Sequence, residues 1–325
     1  MRGSPAETEM VNGASVHQSR DAHLADRPQI IAIAGDIGGG KSTVGKLLAA
    51  QLGVELISTG AIQRRIAASE GKTSLELNKS AEGDPTVDRL IDDFLVSLNG
   101  RVDAPVVESR MAWHFVKSAM KVYLFCLAEK AAARIWTEQR PDEVYSSVAD
   151  ALDKTIQRRA SEVSRFKKSY GVTIENIRNY DIVVDTTYIT PAEVTTIVRK
   201  GLLFDGRPLA WVSPRTLVPT QGIASIDQNA VAQLARAMAA GSATPVPPIK
   251  TYFVDRKFHI AEGHDVVAAA FMAGITAVPA TVDGVDDEML PGGTTARLHV
   301  RGAAHPATIR DWERTNAFTY DFDVL

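Results

Sequence analysis

The sequence predicts an α/β protein: a parallel sheet with helices on both faces, over about residues 28–203, followed by a smaller α+β module. Three observations predict it. Short apolar, β-branched runs of the kind that form strands buried on both faces alternate with helical periods over about 175 residues. A glycine-rich turn stands between the first such run and the first helix. Beyond a stretch with two glycine/proline-rich bends (201–219), the pattern changes to a hairpin, a small-residue helix and a further strand. A chain of 325 residues has room for two such units, and 45% hydrophobic with 23% charged residues suits sizeable cores.

Each element follows from its local pattern. Residues 1–27 are polar and without a period, and read as a disordered arm. Order begins at Pro28, and 29–34 form the first strand. From Ser42 a helical period places Val44, Leu47, Leu48 and Leu52 on one face and ends at Gly53. A second strand (54–57), a helix (about 61–69) and helical periods (about 74–99) follow. Strands are then predicted at 105–107, 122–127 and 182–184, with a long charged helix over about 128–168 between the last two. Pro191 opens the last helix of this unit. Residues 204–216 read as a linker. The second unit, 217–283, holds a helix (229–240), a proline-rich turn (243–248) and an extended pair (249–254 and 258–260) reversing at 255–257. A helix (266–273) and a strand (278–282) complete it. Residues 284–325 form a C-terminal extension whose weak periodicity places no element.

Composition removes several classes. The single cysteine, Cys126, excludes an intrachain disulfide framework and a cysteine-rich zinc site, and reads as a small strand-core residue. No apolar run approaches the roughly 20 residues of a membrane span, and the first 27 residues lack a signal-peptide core. A cytoplasmic protein is expected. Residues 1–27, 28–203 and 204–325 carry 3, 23 and 10 basic against 4, 22 and 13 acidic residues. None has the basic excess that phosphate neutralisation on nucleic acid requires, so nucleic acid is not an expected partner.

The sharpest local signal is Gly35-Asp36-Ile37-Gly38-Gly39-Gly40-Lys41-Ser42, a G-x-x-x-x-G-K-[ST] loop between a strand and a helix. Glycines at 35, 38, 39 and 40 let backbone N–H groups turn in around phosphate oxygens, and the helix that starts beside Thr43 adds its positive end. Lys41 would reach the β/γ phosphates, and the Ser42 hydroxyl would ligate Mg²⁺. ATP and Mg²⁺ are the expected cofactors. A bare strand–helix turn with a surface lysine is the bland alternative.

Loops at the carboxyl ends of parallel strands line one crevice. Two such loops carry Ser58-Thr59-Gly60-Ala61-Ile62-Gln63-Arg64 and Glu108-Ser109-Arg110. Arg158, Glu162 and Arg165, at i, i+4 and i+7, share one helix face. Positive groups from several sides suit a transition state that spreads charge over a transferred phosphoryl group. Read blandly, Arg64 is a surface cation and 158–165 a solvated face with i, i+4 pairs.

Taken together, the loop, the S-x-G-x-I-x-R stretch at 58–64, the E-x-R at 108–110, the R-x-x-S-E-x-x-R-x-K-K-x-Y-G stretch from Arg158 to Gly171, and Asn179–Thr186 resemble the cytidylate (CMP) kinase family, over about 29–201. The resemblance implies a P-loop nucleoside-monophosphate-kinase-like fold. It also implies acceptor contacts from Thr59, Arg64, Glu108, Arg110 and Glu162, and lid arginines Arg158 and Arg165 that act in catalysis with Lys41. Gln63, where the family often has an aromatic residue, and Glu108-Ser109-Arg110-Met111, where many bacterial members have Asp-Gly-Arg-Asp, depart from the family pattern on the acceptor side.

Residues from about 211 to 283 resemble the ParB/sulfiredoxin-like fold, on Leu217-Val218-Pro219-Thr220-Gln221, Pro247-Pro248-Ile249, Phe258 to Asp265, and Gly274 with Val278-Pro279-Ala280. In that fold an arginine grips a nucleotide phosphate and some members carry an acidic base. Here Val266 and Gln221 stand in those places, against a serine kinase acting through this unit. Three readings remain. One is a kinase with ATP as donor and a nucleoside monophosphate as acceptor, CMP or dCMP favoured. The second is a specialised kinase for a nucleotide-like or other small-molecule intermediate, with the ParB-like unit aiding recognition. The third is a nucleotide-gated binding protein.

Overall fold

A computed structural model describes residues 29–72, 86–138, 145–202, 209–240, 246 and 248–324. The expected arm, part of the 74–99 helical region and most of the 243–248 turn lie outside the described residues.

The strands are β1 (Ile31–Gly35), β2 (Leu56–Ser58), β3 (Val106–Glu108), β4 (Met120–Phe125), β5 (Ile182–Asp185), β6 (Leu209–Val212), β7 (Leu217–Val218), β8 (Ile249–Val254), β9 (Lys257–Glu262) and β10 (Val278–Val285). Among the described residues they form one sheet in the order β2-β3-β1-β4-β5-β6-β10-β8-β9-β7. From β2 to β6 every pairing is parallel. β1 shows why. Ile31 and Ile33 join one core cluster, and Ile30, Ala32 and Ala34 join the other. Alternate side chains go to opposite faces, so a strand apolar at every position is buried on both.

Helices cover both faces: α1 (Lys41–Leu52), α2 (Thr59–Ser69), α3 (Thr86–Ser97), α4 (Ala112–Phe115), α5 (Ala128–Glu138), α6 (Val148–Tyr170) and α7 (Pro191–Gly201). Val44 and Leu48 of α1 pack with Val194 and Val198 of α7 on one face, whereas Leu95, Trp113 and Phe166 pack on the other. The long charged helix predicted over 128–168 is two helices. Ser147 starts the second by accepting the Asp150 N–H at 3.1 Å, a capping signal that the continuous charge pattern hides.

In the second half lie α8 (Gln228–Ala239), α9 (His264–Ala273), α10 (Ala296–Ala303) and α11 (Pro306–Thr315). Within the segment read as a linker, 209–212 form β6, parallel to β5 and antiparallel to β10. The two units therefore share a sheet. They share a core too: Phe125 of β4 lies edge-on to Phe253 and Phe258, with ring centroids 5.7 and 5.6 Å away. The extension gains its helices from burial that short charged segments do not advertise. Trp312 of α11 is 1% exposed and donates its indole N–H to Gln221 O at 2.8 Å. No helix among the described residues is long and apolar enough to cross a membrane.

The strand order places the site. From β1 the chain crosses to β2 on one side, and from β3 to β4 on the other, so the crevice above the β1 and β3 ends is the switch point of the sheet.

Candidate active site

Backbone geometry defines the phosphate loop. Gly35, Gly38 and Gly40 have φ of 147°, 73° and 83°, where side chains are strained. At Gly35 a Cβ would stand 2.4 Å from Leu124 O, and at Gly39 2.9 Å from the same oxygen. Close approach to β4, not only turn geometry, thus requires glycine. The Val44 N–H is bonded to Gly40 O at 2.9 Å. The earlier amides of α1, on the cleft-lining residues Lys41, Ser42 and Thr43, are the orphan donors of a helix start. The Thr186 hydroxyl, just past the end of β5, steadies the loop by donating to Gly39 O at 3.1 Å.

Lys41 folds back over this loop, its Nζ donating to Asp36 O at 2.6 Å and Gly35 O at 3.0 Å. Burial, with Arg110 nearby, pushes its pKa down to about 8, against the pull of Glu108, Glu162 and Asp36. The Ser42 hydroxyl donates to Glu108 Oε1 at 2.7 Å, which ties the helix start to the end of β3. A hydroxyl and a carboxylate side by side are hard oxygen donors that fit Mg²⁺, which takes one or two protein oxygens and completes its shell with phosphate and water. The glycine loop and the α1 amides fit a triphosphate in the same way.

Around the loop an open cleft is lined by Gly38, Gly40, Lys41, Ser42 and Thr43, by Gly60, Gln63 and Arg64 of α2, by Glu108 and Arg110, and by Arg158. Glu162 holds two of these cations: Arg110 Nε at 2.5 Å and Arg158 Nε at 3.2 Å. Burial draws Arg110 below the ordinary guanidinium pKa, which Glu162 opposes and Arg158 and Arg165 reinforce. Thr59 is buried under the cleft, its hydroxyl 3.5 Å from Glu108 O. Arg165 turns the other way, pairing with Asp88 of α3 at 3.4 Å and lying over the Phe166 ring. Of the departures on the acceptor side, Gln63 and Glu108 face the cleft, whereas Met111 packs in the core.

Sequence reasoning missed a charged network beneath the loop. Asp36, 7% exposed, accepts from Tyr123 OH at 2.9 Å, the Cys126 N–H at 2.8 Å and Arg256 Nη2 at 2.6 Å. Arg256 also donates to Glu175 Oε1 at 3.1 Å, and that carboxylate pairs with Arg159 of α6. Asp36 sits at a position where the loop pattern allows any residue, and Arg256 belongs to a turn, so neither carried a pattern.

In the second unit the positions where a ParB/sulfiredoxin-like site would lie do structural work. Val266 is buried in the core. Gln221 bonds Ser225 and accepts from Trp312. His264 accepts the Thr220 N–H at 3.2 Å, and burial pushes its pKa down to about 4, so it is neutral at pH 7.

Residues 30–188 match the family described as the cytidylate kinase-like family. A cytidylate kinase of Methanococcoides burtonii is 31% identical over 173 residues, 53% of this chain and 96% of that protein. An S-adenosylmethionine-dependent nucleotide dehydratase of Lacinutrix mariniflava is 36% identical over 171 residues, 52% of this chain, which spans only 34% of that protein. Among solved structures, a shikimate kinase from Bacteroides thetaiotaomicron aligns with a TM-score of 0.40 at 18% identity, over 54% of this chain and 99% of that one.

Proposed function

Because the chain belongs to the cytidylate kinase-like family through residues 30–188, we propose that it transfers the γ-phosphoryl group of ATP to a nucleoside monophosphate, with CMP or dCMP as the favoured acceptor. The observation that carries this reading is one cleft holding both a phosphate loop and three arginines from separate elements, Arg64, Arg110 and Arg158.

The chain's own contribution is positioning and charge. The loop amides and Lys41 hold the donor phosphates. Lys41 gives up its contacts to Gly35 O and Asp36 O for phosphate oxygens, so the loop offers it a place to wait without leaving it unpaired. Arg64 and Arg110 hold the acceptor phosphate in line, and Arg158 from α6 faces the charge that spreads over the transferred group. Glu162 orders Arg110 and Arg158 before substrate arrives, which lowers the reorganisation needed in the transition state. Ser42 and Glu108 would hold Mg²⁺, which neutralises phosphate charge. Arg165, paired with Asp88, ties α6 to α3 rather than facing the cleft.

A second reading is a specialised kinase for a nucleotide-like intermediate. Gln63 in the cleft favours it, and so does the presence of the matching segment in a protein named for nucleotide dehydration. The test is steady-state ADP release with ATP, Mg²⁺ and each of CMP, dCMP, UMP, AMP, GMP and L-serine, beside Lys41→Ala. Turnover confined to CMP or dCMP, and lost in the variant, supports the first reading. Equal background with every acceptor rejects it, leaving an unsampled acceptor or a nucleotide-gated binding protein.

A further inference from the structure

Arg256 reaches the phosphate loop from 220 residues away in sequence. It sits at the tip of the β8–β9 hairpin, where Asp255 and Arg256 have φ of 48° and 60°. Two-residue hairpin turns of this kind favour Asn-Gly or Gly-Gly, because both positions need left-handed backbone. A bulky arginine there is strained, so what it offers must lie in its side chain. The tip is held from behind: the Asp255 N–H donates to Asp286 Oδ1 at 3.0 Å, and Arg297 of α10 pairs with Asp255, Asp286 and Asp287.

The guanidinium does three things at once. It faces the buried Asp36 carboxylate, bonds Glu175, and lies 5.1 Å over the Phe125 ring. Asp36 then acts through its main chain. Its carbonyl accepts both Lys41 Nζ at 2.6 Å and the Gly39 N–H at 3.0 Å. One residue of the second half is thus linked, through a single aspartate, to the lysine and the turn of the phosphate loop. Through Glu175 it is also linked to Arg159 of α6.

We propose that Arg256 is a positioning residue of the nucleoside triphosphate site: it fixes Asp36, and through the Asp36 carbonyl the turn of the phosphate loop at Gly39, so the hairpin of the second unit completes the ATP-binding loop. The proposal rests on the reading that this loop binds ATP, and it does not depend on the acceptor.

The test uses the full chain and measures ATP–Mg²⁺ binding by calorimetry, with KM for ATP, KM for acceptor and kcat alongside. Arg256→Gly removes the side chain and relieves the turn. It should weaken ATP binding about tenfold, with acceptor KM within about twofold of wild type. Arg256→Lys, which keeps charge but loses the two-pronged grip, should fall between. Millimolar guanidinium ion should restore binding to Arg256→Gly more than an equal concentration of sodium ion does. In an Asp36→Asn background Arg256→Gly should add less than about a twofold loss. Wild-type ATP affinity in folded Arg256→Gly overturns the proposal, as does an equal loss in both backgrounds. If Arg256→Gly does not fold, Arg256→Lys decides, and unchanged ATP affinity there overturns it. A wild-type protein that binds ATP but phosphorylates no monophosphate contradicts the kinase reading and leaves this one standing.

Discussion

The phosphate loop and the tip of the β8–β9 hairpin face the same backbone problem and answer it differently. Both need positive φ. The loop uses glycine at 35, 38 and 40; the tip uses Asp255 and Arg256. In the loop the backbone itself is the functional group, and a Cβ at Gly35 would collide with β4. At the tip the side chain is the functional group, and it is retained against a strain of roughly 1–2 kcal/mol per residue. Glycine at positive φ marks a place where amides are used, and arginine at positive φ marks a place where a charge must be delivered.

The largest effect that would sharpen this contrast is chemical. Lys41→Ala should lower kcat by about 10²–10³, as expected for a group that stabilises transition-state charge, while thermal unfolding stays cooperative. A drop below tenfold would make the loop a binding device only. Next come the glycines. Gly35→Ala should destabilise the fold by about 2–3 kcal/mol, since both φ and the Leu124 backbone oppose it. Gly40→Ala, with nothing within 4 Å of its Cβ, should cost about 1 kcal/mol from φ alone. Denaturant melts of the two would break the comparison if the costs were equal.

A pH profile separates charge from packing. Lys41 is charged below about pH 8 and neutral above, so kcat/KM for ATP should be level at lower pH and fall about tenfold per unit above pH 8. Stability runs the other way. A lysine whose folded pKa is depressed favours the unfolded state when protonated, so this contribution to stability rises from pH 8 toward the ordinary lysine value. Activity lost above pH 8 without a fall in melting temperature is therefore the expected signature; parallel loss of both would contradict it. The smallest effect belongs to Asp255→Gly, which trades an exposed ion pair for relief at φ 48° and should stay within about 1 kcal/mol of wild type.

The contrast also explains what could be read from the sequence. The loop is local: strand, glycines, lysine and helix lie within about twenty residues, and their chemistry dictates their spacing. Arg64, Glu108 and Arg110 could be placed because carboxyl ends of parallel strands converge, and Arg158 through the family's lid stretch; all four share the cleft. Arg165 shares a helix face with Arg158 by period alone, yet Asp88 of α3 draws it aside. That is a tertiary pairing no periodicity encodes. Asp36 and Arg256 were silent for the same reason, being a pair 220 residues apart. The β6 segment was missed because a four-residue strand between glycine/proline bends carries too little pattern, whereas its pairing with β5 and β10 makes it the joint of the sheet.

The central claim is that the cleft moves a phosphoryl group between two nucleotides. The most direct measurement follows ³¹P resonances of ATP with CMP and Mg²⁺ as the protein is added. Growth of ADP and CDP signals in equal amounts, with little inorganic phosphate, is the expected result. Inorganic phosphate rising in step with ADP, with the CMP signal unchanged, would contradict it.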